Sequence, residues 1–412
     1  MQAQNSRIIS YAAFAFAFAV VLINTISIMF PSLIITMLDE SGLETKPFEP
    51  GAMLIPIIVA NGAALGFGLF YFKNKLPIRL KNSVHFLLDF EVSHNVATIV
   101  FVGLLFGYIG YTMEDLAIDE ELQFGDYKRV KPTIENWPTG DEKIIETIKE
   151  LHVLHVKNFL LKSSQFLFQN MKVIPFLVSI SLVILVYVFT IKITQKRFAG
   201  LVAMAVLIPF PTFRALDSIA TYANDWTLFY LLSLYLVYKK WPLSPISYIA
   251  SVFSKALSAV YLPMTLFFTW RSNLPQNTKL YITLSYVGVA VAASLGILVL
   301  GADVGGGITT GGLTFDDNDF WSGFTAMSYH LRFDYFLLIF ILPLTVTLLL
   351  ASRRGIFHAD SMLVLMGGII LAMPLLAGIT GFNLHPYRWI PLLVFFAISV
   401  GVLFSKRPIK QV

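Results

Sequence analysis

Long, almost uncharged apolar runs recur along the chain at 8–38, 51–72, 95–112, 173–191, 198–215, 219–238, 280–300, 334–351, 361–381 and 388–405, with polar stretches between them. A helix needs about 20 apolar residues to cross the hydrocarbon of a bilayer, so each run predicts a membrane-spanning helix. The run 244–270 differs. Pro263 and the polar knot Ser254, Lys255 and Ser258 divide it, which predicts two short or re-entrant helices. A different period appears in DEKIIETIKELHVLHVKNFLLKSSQFLFQ, residues 141–169, where Ile144, Ile145, Ile148, Leu151, Leu154, Phe159 and Leu160 fall at helical spacing. That pattern predicts an amphipathic helix lying along the interface inside a long external loop, 113–172. The expected fold is all-α: a polytopic membrane protein with about 10–12 transmembrane helices.

Composition supports this. Hydrophobic side chains make up 56% of the 412 residues and charged ones 13%, with a mean hydropathy of +0.72, far from the soluble average. The opening run follows Arg7 and exceeds the roughly 7–15 apolar residues of a cleavable signal peptide, so it reads as a retained first helix. The absence of cysteine excludes disulfides, thiolate metal sites and cysteine nucleophiles.

A pI near 9.1 could suggest nucleic acid in a soluble protein. Here the basic residues mark a membrane side instead. Arg7, the cluster Lys73, Lys75, Arg79 and Lys81, the group Lys192, Lys196 and Arg197, the pairs Lys239–Lys240 and Arg353–Arg354, and the tail Lys406, Arg407 and Lys410 fit one face if helices alternate. The rule that positive loops stay inside puts both termini in the cytoplasm of a cell-membrane protein. The loops 39–50, 113–172, 301–333 and 382–388 then lie outside.

The loop after the third run holds eleven acids against five bases between 113 and 150, an excess that makes it the first place to look for chemistry. The plainer reading of most of these acids is a solvated surface. A carboxylate at a membrane surface can also serve as general base or metal ligand toward an external hydroxyl. The matching leaving group for such a protein is a lipid-linked phosphate, which needs cations to receive it. Candidates stand on the same side. GFNLHPYRWIPLLVFF (381–396) places Arg388 at the mouth of the last helix behind His385, Pro386 and Tyr387, where it could also be a snorkelling anchor. SVFSKALSAVYLP (251–263) sets Lys255 in an apolar run. FRALDSIATYANDWTLFYLLSLYLVYKK (213–240) crowds Arg214, Asp217, Asn224 and Asp225 at one junction, with a simple Arg214–Asp217 pair as the alternative. His152 and His155 read either as metal ligands or as a wet helix face. GADVGGGITTGGLTFDDND (301–319) lacks the Gly-Lys-Ser/Thr ending of a phosphate loop and reads as a mobile external loop that orders over an acceptor.

The order of these features, EDLAIDEEL, then RALDSIATYANDWTLFYLLSLYLVYKK, then SKALSAVYLP, then HPYRWIPLL, resembles the GT-C superfamily of polytopic membrane glycosyltransferases over residues 95–405. The likeness is to protein O-mannosyltransferases and aminoarabinose transferases. It implies a GT-C-like core that transfers a sugar, with inversion, from a polyprenyl-phosphate donor to a protein, lipid or glycan acceptor on the outer face. It implies no nucleic-acid partner. The first-loop acidic pair falls on Asp119 and Glu120, with Glu114 and Asp115 as the option nearer the membrane. Asp119 is then base or ligand to a divalent metal, Mg or Mn, in members that use one. The second-loop acid is Asp217 or Asp225, the lysine of the broken helix is Lys255, and the phosphate-binding arginine is Arg388, beside His385 and Tyr387. The family's acidic loop follows its first helix, whereas here it follows the third. Residues 1–92 therefore read as an N-terminal addition to a core at 93–412. No HPP follows the acids, and no WWDYG-like motif occurs. Two other classes stay open: a secondary transporter using Lys255 and Asp217 as a midplane pair, and a noncatalytic membrane subunit of a larger complex. Convergence of Asp119, Asp217, Lys255 and Arg388 on one outward cavity is the expectation that separates them.

Overall fold

The computed structural model of the chain describes residues 2–33, 46–120, 125–135, 155–300, 315–356, 358–380 and 385–406. Every regular element among them is helical. Lipid offers the backbone no hydrogen-bond partner, and a helix satisfies its N–H and C=O groups within itself. Six helices are long and apolar enough to cross a membrane, within Arg7–Met29, Leu54–Tyr71, His94–Ala117, Val173–Thr194, Tyr335–Arg353 and Ala359–Ile379, and Arg197–Leu207 and Pro386–Val402 are shorter apolar helices. The chain is an all-α, multi-pass membrane protein.

Proline accounts for most of the difference from the ten runs read in the sequence. The first helix, Gln2–Met29, stops ahead of Pro31, and the run 198–215 is cut at Pro209 and Pro211 into Arg197–Leu207 and Pro211–Ala215. The run 219–238 becomes a helix only from Asp225 to Lys239, fifteen residues. At 1.5 Å per residue that is about 22 Å, short of a hydrocarbon core of about 30 Å. The break in 244–270 falls as expected. Helix Ser244–Ser254 ends at Lys255, whose backbone is extended at φ −156° and ψ 115°. A 3₁₀ turn, Ala256–Tyr261, then leads into helix Leu262–Arg271 with Pro263 in its first turn, where a missing N–H is harmless. Of the interfacial stretch 141–169, residues 136–154 lie outside the described residues, and the remainder forms helix His155–Phe168 with Phe159, Phe166 and Leu167 exposed.

The chain forms two compact units, one of residues 1–102, 186–212 and 315–412 and the other of 103–185 and 213–314. Residues 1–92 thus share the first unit with two later stretches. In the first unit Gln2–Met29 packs on Asp317–His330, Tyr335–Arg353 and Ala359–Thr380, while Ile390–Val402, buried along nearly all its length, packs on Arg197–Leu207. Glycine makes these contacts close. A Cβ at Gly323 would stand 2.5 Å from Pro374 Cα, one at Gly367 2.9 Å from Ala17 Cα, and one at Gly401 2.7 Å from the Ala199 carbonyl.

In the second unit Asp225–Lys239 and Ser244–Ser254 run antiparallel, joined by a row of serines. Ser244, Ser247 and Ser251 donate through Oγ to the carbonyls of Ser233, Phe229 and Trp226 at 2.7, 2.8 and 2.7 Å. Their spacing of three and four residues puts them on one helical face. Small hydroxyl side chains there let the two backbones approach and bond, the usual glue between membrane helices. Tyr230 and Tyr261 pack at 5.1 Å between ring centroids beside this seam, and Tyr248 and Tyr286 at 5.2 Å.

The glycine contacts give a paired prediction. Gly323→Ala forces a methyl into backbone that cannot step aside and is expected to cost about 1–3 kcal/mol. Gly62→Ala, where a Cβ meets nothing within 4 Å, is expected to gain a few tenths to about 1 kcal/mol. Thermal unfolding of the two variants in detergent should shift in opposite directions.

Candidate functional site

The span His94–Ala117 ends in a 3₁₀ turn, Met113–Ala117, and the chain then turns extended at Ile118. Lys172 and Asn170, 57 and 54 residues along the chain from the carbonyls they bond, staple this segment, and its own Glu120 reaches a further loop. Lys172 donates through Nζ to the Asp115 carbonyl and, at 3.0 Å, to the Ile118 carbonyl. Asn170 donates to the Leu116 carbonyl at 3.3 Å. Glu120, only 2% exposed, accepts from the Ala220 N–H, from the Thr221 N–H at 3.1 Å and from the Thr221 hydroxyl at 2.8 Å. With both oxygens engaged, Glu120 is a fastener between the acidic segment and the loop 216–224. Asp119, held between Ile118 and Glu120, has an exposed side chain on a fixed backbone.

The loop that receives Glu120 is itself tied down. Ser179 donates to the Asp217 carbonyl at 2.7 Å, Asn224 donates to Ser179 Oγ at 3.1 Å, and Lys157 donates to the Thr221 carbonyl. Asp217 is 1% exposed, and neither carboxylate oxygen has a hydrogen-bond partner. Burial pushes its carboxyl up from the ordinary 3.8 to about 7. The nearby Asp115 adds to the rise, while the Tyr108 and Thr112 hydroxyls that face it and the more distant Arg214 oppose it. The simple Arg214–Asp217 pair does not form: Arg214 stacks its guanidinium over the Tyr111 ring at 4.9 Å.

Lys172 is the hub of this arrangement. It is 6% exposed, and burial pulls its ammonium below the usual lysine value while Glu120, Asp115, Asp217 and Asp119 hold it up. Four carboxylates thus surround one lysine. Asp225 lies elsewhere in the unit, buried at the start of Asp225–Lys239. Both its oxygens lack a hydrogen bond, as does Ser254 Oγ, which faces it, and Lys157 acts on it through charge. Lys255 follows Ser254, half-buried at the helix break.

The cationic part of the expected site belongs to the first unit. Arg388 lies in the 3₁₀ turn Pro386–Trp389 that opens Ile390–Val402 and is 7% exposed. Its Nη1 has no hydrogen-bond partner, and its Nε reaches only the Tyr387 hydroxyl, at 3.5 Å. His385 stacks on Tyr387 with ring centroids 5.9 Å apart. His330 is pushed down to about 4, by burial first and then by His385, Arg388 and Arg332. Among the described residues the charged groups that act on that imidazole are basic, Arg388 among them.

The structure therefore gathers Asp119, Glu120 and Asp217 around Lys172, sets Asp225 near the break that carries Lys255, and holds His385, Tyr387 and Arg388 together in the other unit. Sequence reasoning missed Lys172, Tyr108, His330 and Arg332. A signal for Lys172 was present: a cation directly ahead of an apolar helix on the face where few were expected. Among the described residues no three His, Cys, Asp or Glu side chains are grouped to hold a metal ion. His152, the side chain of His155 and residues 301–314 of the glycine-rich loop lie outside the described residues. No family model, curated protein or solved structure matches the chain.

Asp217 gives a pH dependence of stability. Its folded value lies above its unfolded one, so its contribution is fully present below about pH 4. It is lost as pH rises toward 7, by up to about 4 kcal/mol. Asp217→Asn does not titrate, so its Tm in detergent is expected to fall less between pH 5 and pH 8 than that of the parent. Glu120→Ala leaves two N–H groups and a hydroxyl without their acceptor. It is expected to cost about 2–4 kcal/mol, read as faster proteolysis of the 113–135 segment.

Proposed function

We propose that the chain is a membrane-embedded transferase of the GT-C kind that moves a sugar from a polyprenyl-phosphate donor to an acceptor hydroxyl at the outer face of the cell membrane. The observation that carries this reading is Arg388, a buried guanidinium with an unbonded Nη1, near His330 and His385. A buried cation without a countercharge costs several kcal/mol. An anion supplied by the substrate removes that cost, and the phosphate of a lipid-linked sugar reaches such a place from the bilayer.

Arg388, with His385 and Tyr387, holds the donor phosphate and takes up the charge it gains on leaving. Asp119 meets the acceptor. As the acceptor oxygen bonds to the anomeric carbon, the bond from that carbon to the phosphate oxygen breaks, its electron pair goes to the phosphate, and the hydroxyl proton passes to Asp119. Glu120 keeps Asp119 in place and has no oxygen to spare. Asp217, Asp225 and Lys255 remain candidates for contacts with the sugar and the phosphate. With both termini cytoplasmic, the loop 113–172 faces the acceptors.

A second reading has its own support. A buried carboxyl pushed up to about 7, as that of Asp217 is, suits a proton-coupled transporter.

Transfer from a radiolabelled polyprenyl-phosphate sugar by the full chain in proteoliposomes separates them. Asp119→Asn is expected to lower kcat at least ~100-fold, and Arg388→Ala to raise the donor KM tenfold or more. Full turnover in both variants would end the transferase reading. Solute uptake driven by a pH gradient and abolished in Asp217→Asn would establish the transporter.

A further inference from the structure

Between the spans Leu54–Tyr71 and His94–Ala117 lies a helix that crosses nothing. Ile78–Asp89 is twelve residues long and has no buried residue. Its length of about 18 Å is well short of the hydrocarbon core. Leu80, Val84, Leu87 and Leu88 follow the i, i+4, i+7, i+8 pattern of one helical face. Leu80 is 49% and Leu87 50% exposed, so that face is uncovered by protein. Asn82, Ser83 and Arg79 stand on the other side of the helix, where Ile78 and Phe86, 68% and 64% exposed, flank Asn82 one turn before and after it, and Lys73 and Lys75 lead into the helix, all of them exposed.

The helix is fastened at both ends. Lys81 donates to the Asn74 side chain at 3.0 Å, and His85 packs on Tyr71 with ring centroids 5.9 Å apart. At its C-terminus Lys196 donates through Nζ to the carbonyls of Leu88 and Phe90 at 2.8 and 3.2 Å. Spans flank it on both sides, so these contacts keep it where the chain leaves the membrane. The exposed acids, Asp89 and Glu91, are at its far end.

We infer that Ile78–Asp89 lies in the plane of the membrane interface, with Leu80, Val84, Leu87 and Leu88 in the acyl boundary, and that Lys73, Lys75 and Arg79 bind anionic lipid headgroups there. Charge complementarity decides the occupant. Three exposed cations beside an apolar face suit an anionic bilayer surface. The site is independent of the transferase reading.

The chain has no cysteine, so single cysteines at Leu80, Leu87 and Asn82 can each carry a spin label on the full chain in nanodiscs of phosphatidylcholine with phosphatidylglycerol. Labels at Leu80 and Leu87 are expected to be accessible to oxygen and shielded from a water-soluble nickel chelate, and the label at Asn82 the reverse. Equal chelate access at all three positions overturns the proposal. So does shielding of Leu80 and Leu87 from both reagents, which marks a protein partner, or spin–spin broadening, which marks a second copy. Retention of phosphatidylglycerol through detergent exchange, read by native mass spectrometry, tests the charges. The Lys73→Gln, Lys75→Gln, Arg79→Gln variant, which leaves Lys81 and its bond intact, is expected to retain it about tenfold less at low salt, with a smaller difference at high salt. Unchanged retention overturns the headgroup assignment.

Discussion

Hydrocarbon accepts no hydrogen bonds and donates none, and that constraint organises this chain from end to end. Within the spans, polar side chains turn back on their own helices: Thr25 bonds the Val21 carbonyl, Asn61 that of Ile57, Thr194 that of Thr190 and Thr345 that of Ile341. Where helices stop, the last carbonyls lose their partners, and lysines supply them. Lys162 bonds the Ile134 and Glu135 carbonyls, Lys172 those of Asp115 and Ile118, Lys196 those of Leu88 and Phe90, and Lys279 that of Trp270. The long stem of each lysine spans apolar surface while its ammonium closes a helix end, which water would do in a soluble protein.

Against that background the exceptions carry meaning. Asp217 and Asp225 in one unit, and Arg388 in the other, are among the buried side chains that keep a polar atom without a hydrogen bond. Chains depart from local consistency chiefly where function requires it. Glu120 shows what a satisfied acid looks like in the same neighbourhood, with three donors on its two oxygens.

Much of the fold was legible because apolar run length and proline act locally. The runs at 51–72, 95–112 and 173–191 became helices almost residue for residue, and the break at Lys255 followed from Ser254, Ser258 and Pro263. The short helix at 225–239 was overestimated because 219–224, apolar in part, forms the loop that binds Glu120. The candidate site was legible only as a set of charged residues. Which acid is a fastener and which is presented depends on partners far along the chain: Glu120 meets Thr221 across 101 residues, and Lys172 meets Asp115 across 57. No local pattern encodes those pairings. Lys196 carried information about sidedness in the sequence, and its second role as a helix cap, which Lys172 shares, appears only once the helix ends are placed.

The glycine contacts of the first unit bear on descent. At Gly323, Gly367 and Gly401 the opposing surface is backbone, so an added carbon meets main-chain atoms in the facing helix. Loops can lengthen and surface acids can drift among relatives while the helices stay in place. These three positions cannot change so freely, because a larger residue must move a whole helix. Homologues of this chain are therefore expected to be recognised first by small residues at the spacing of these glycines, before any likeness appears in the charged residues that do the chemistry.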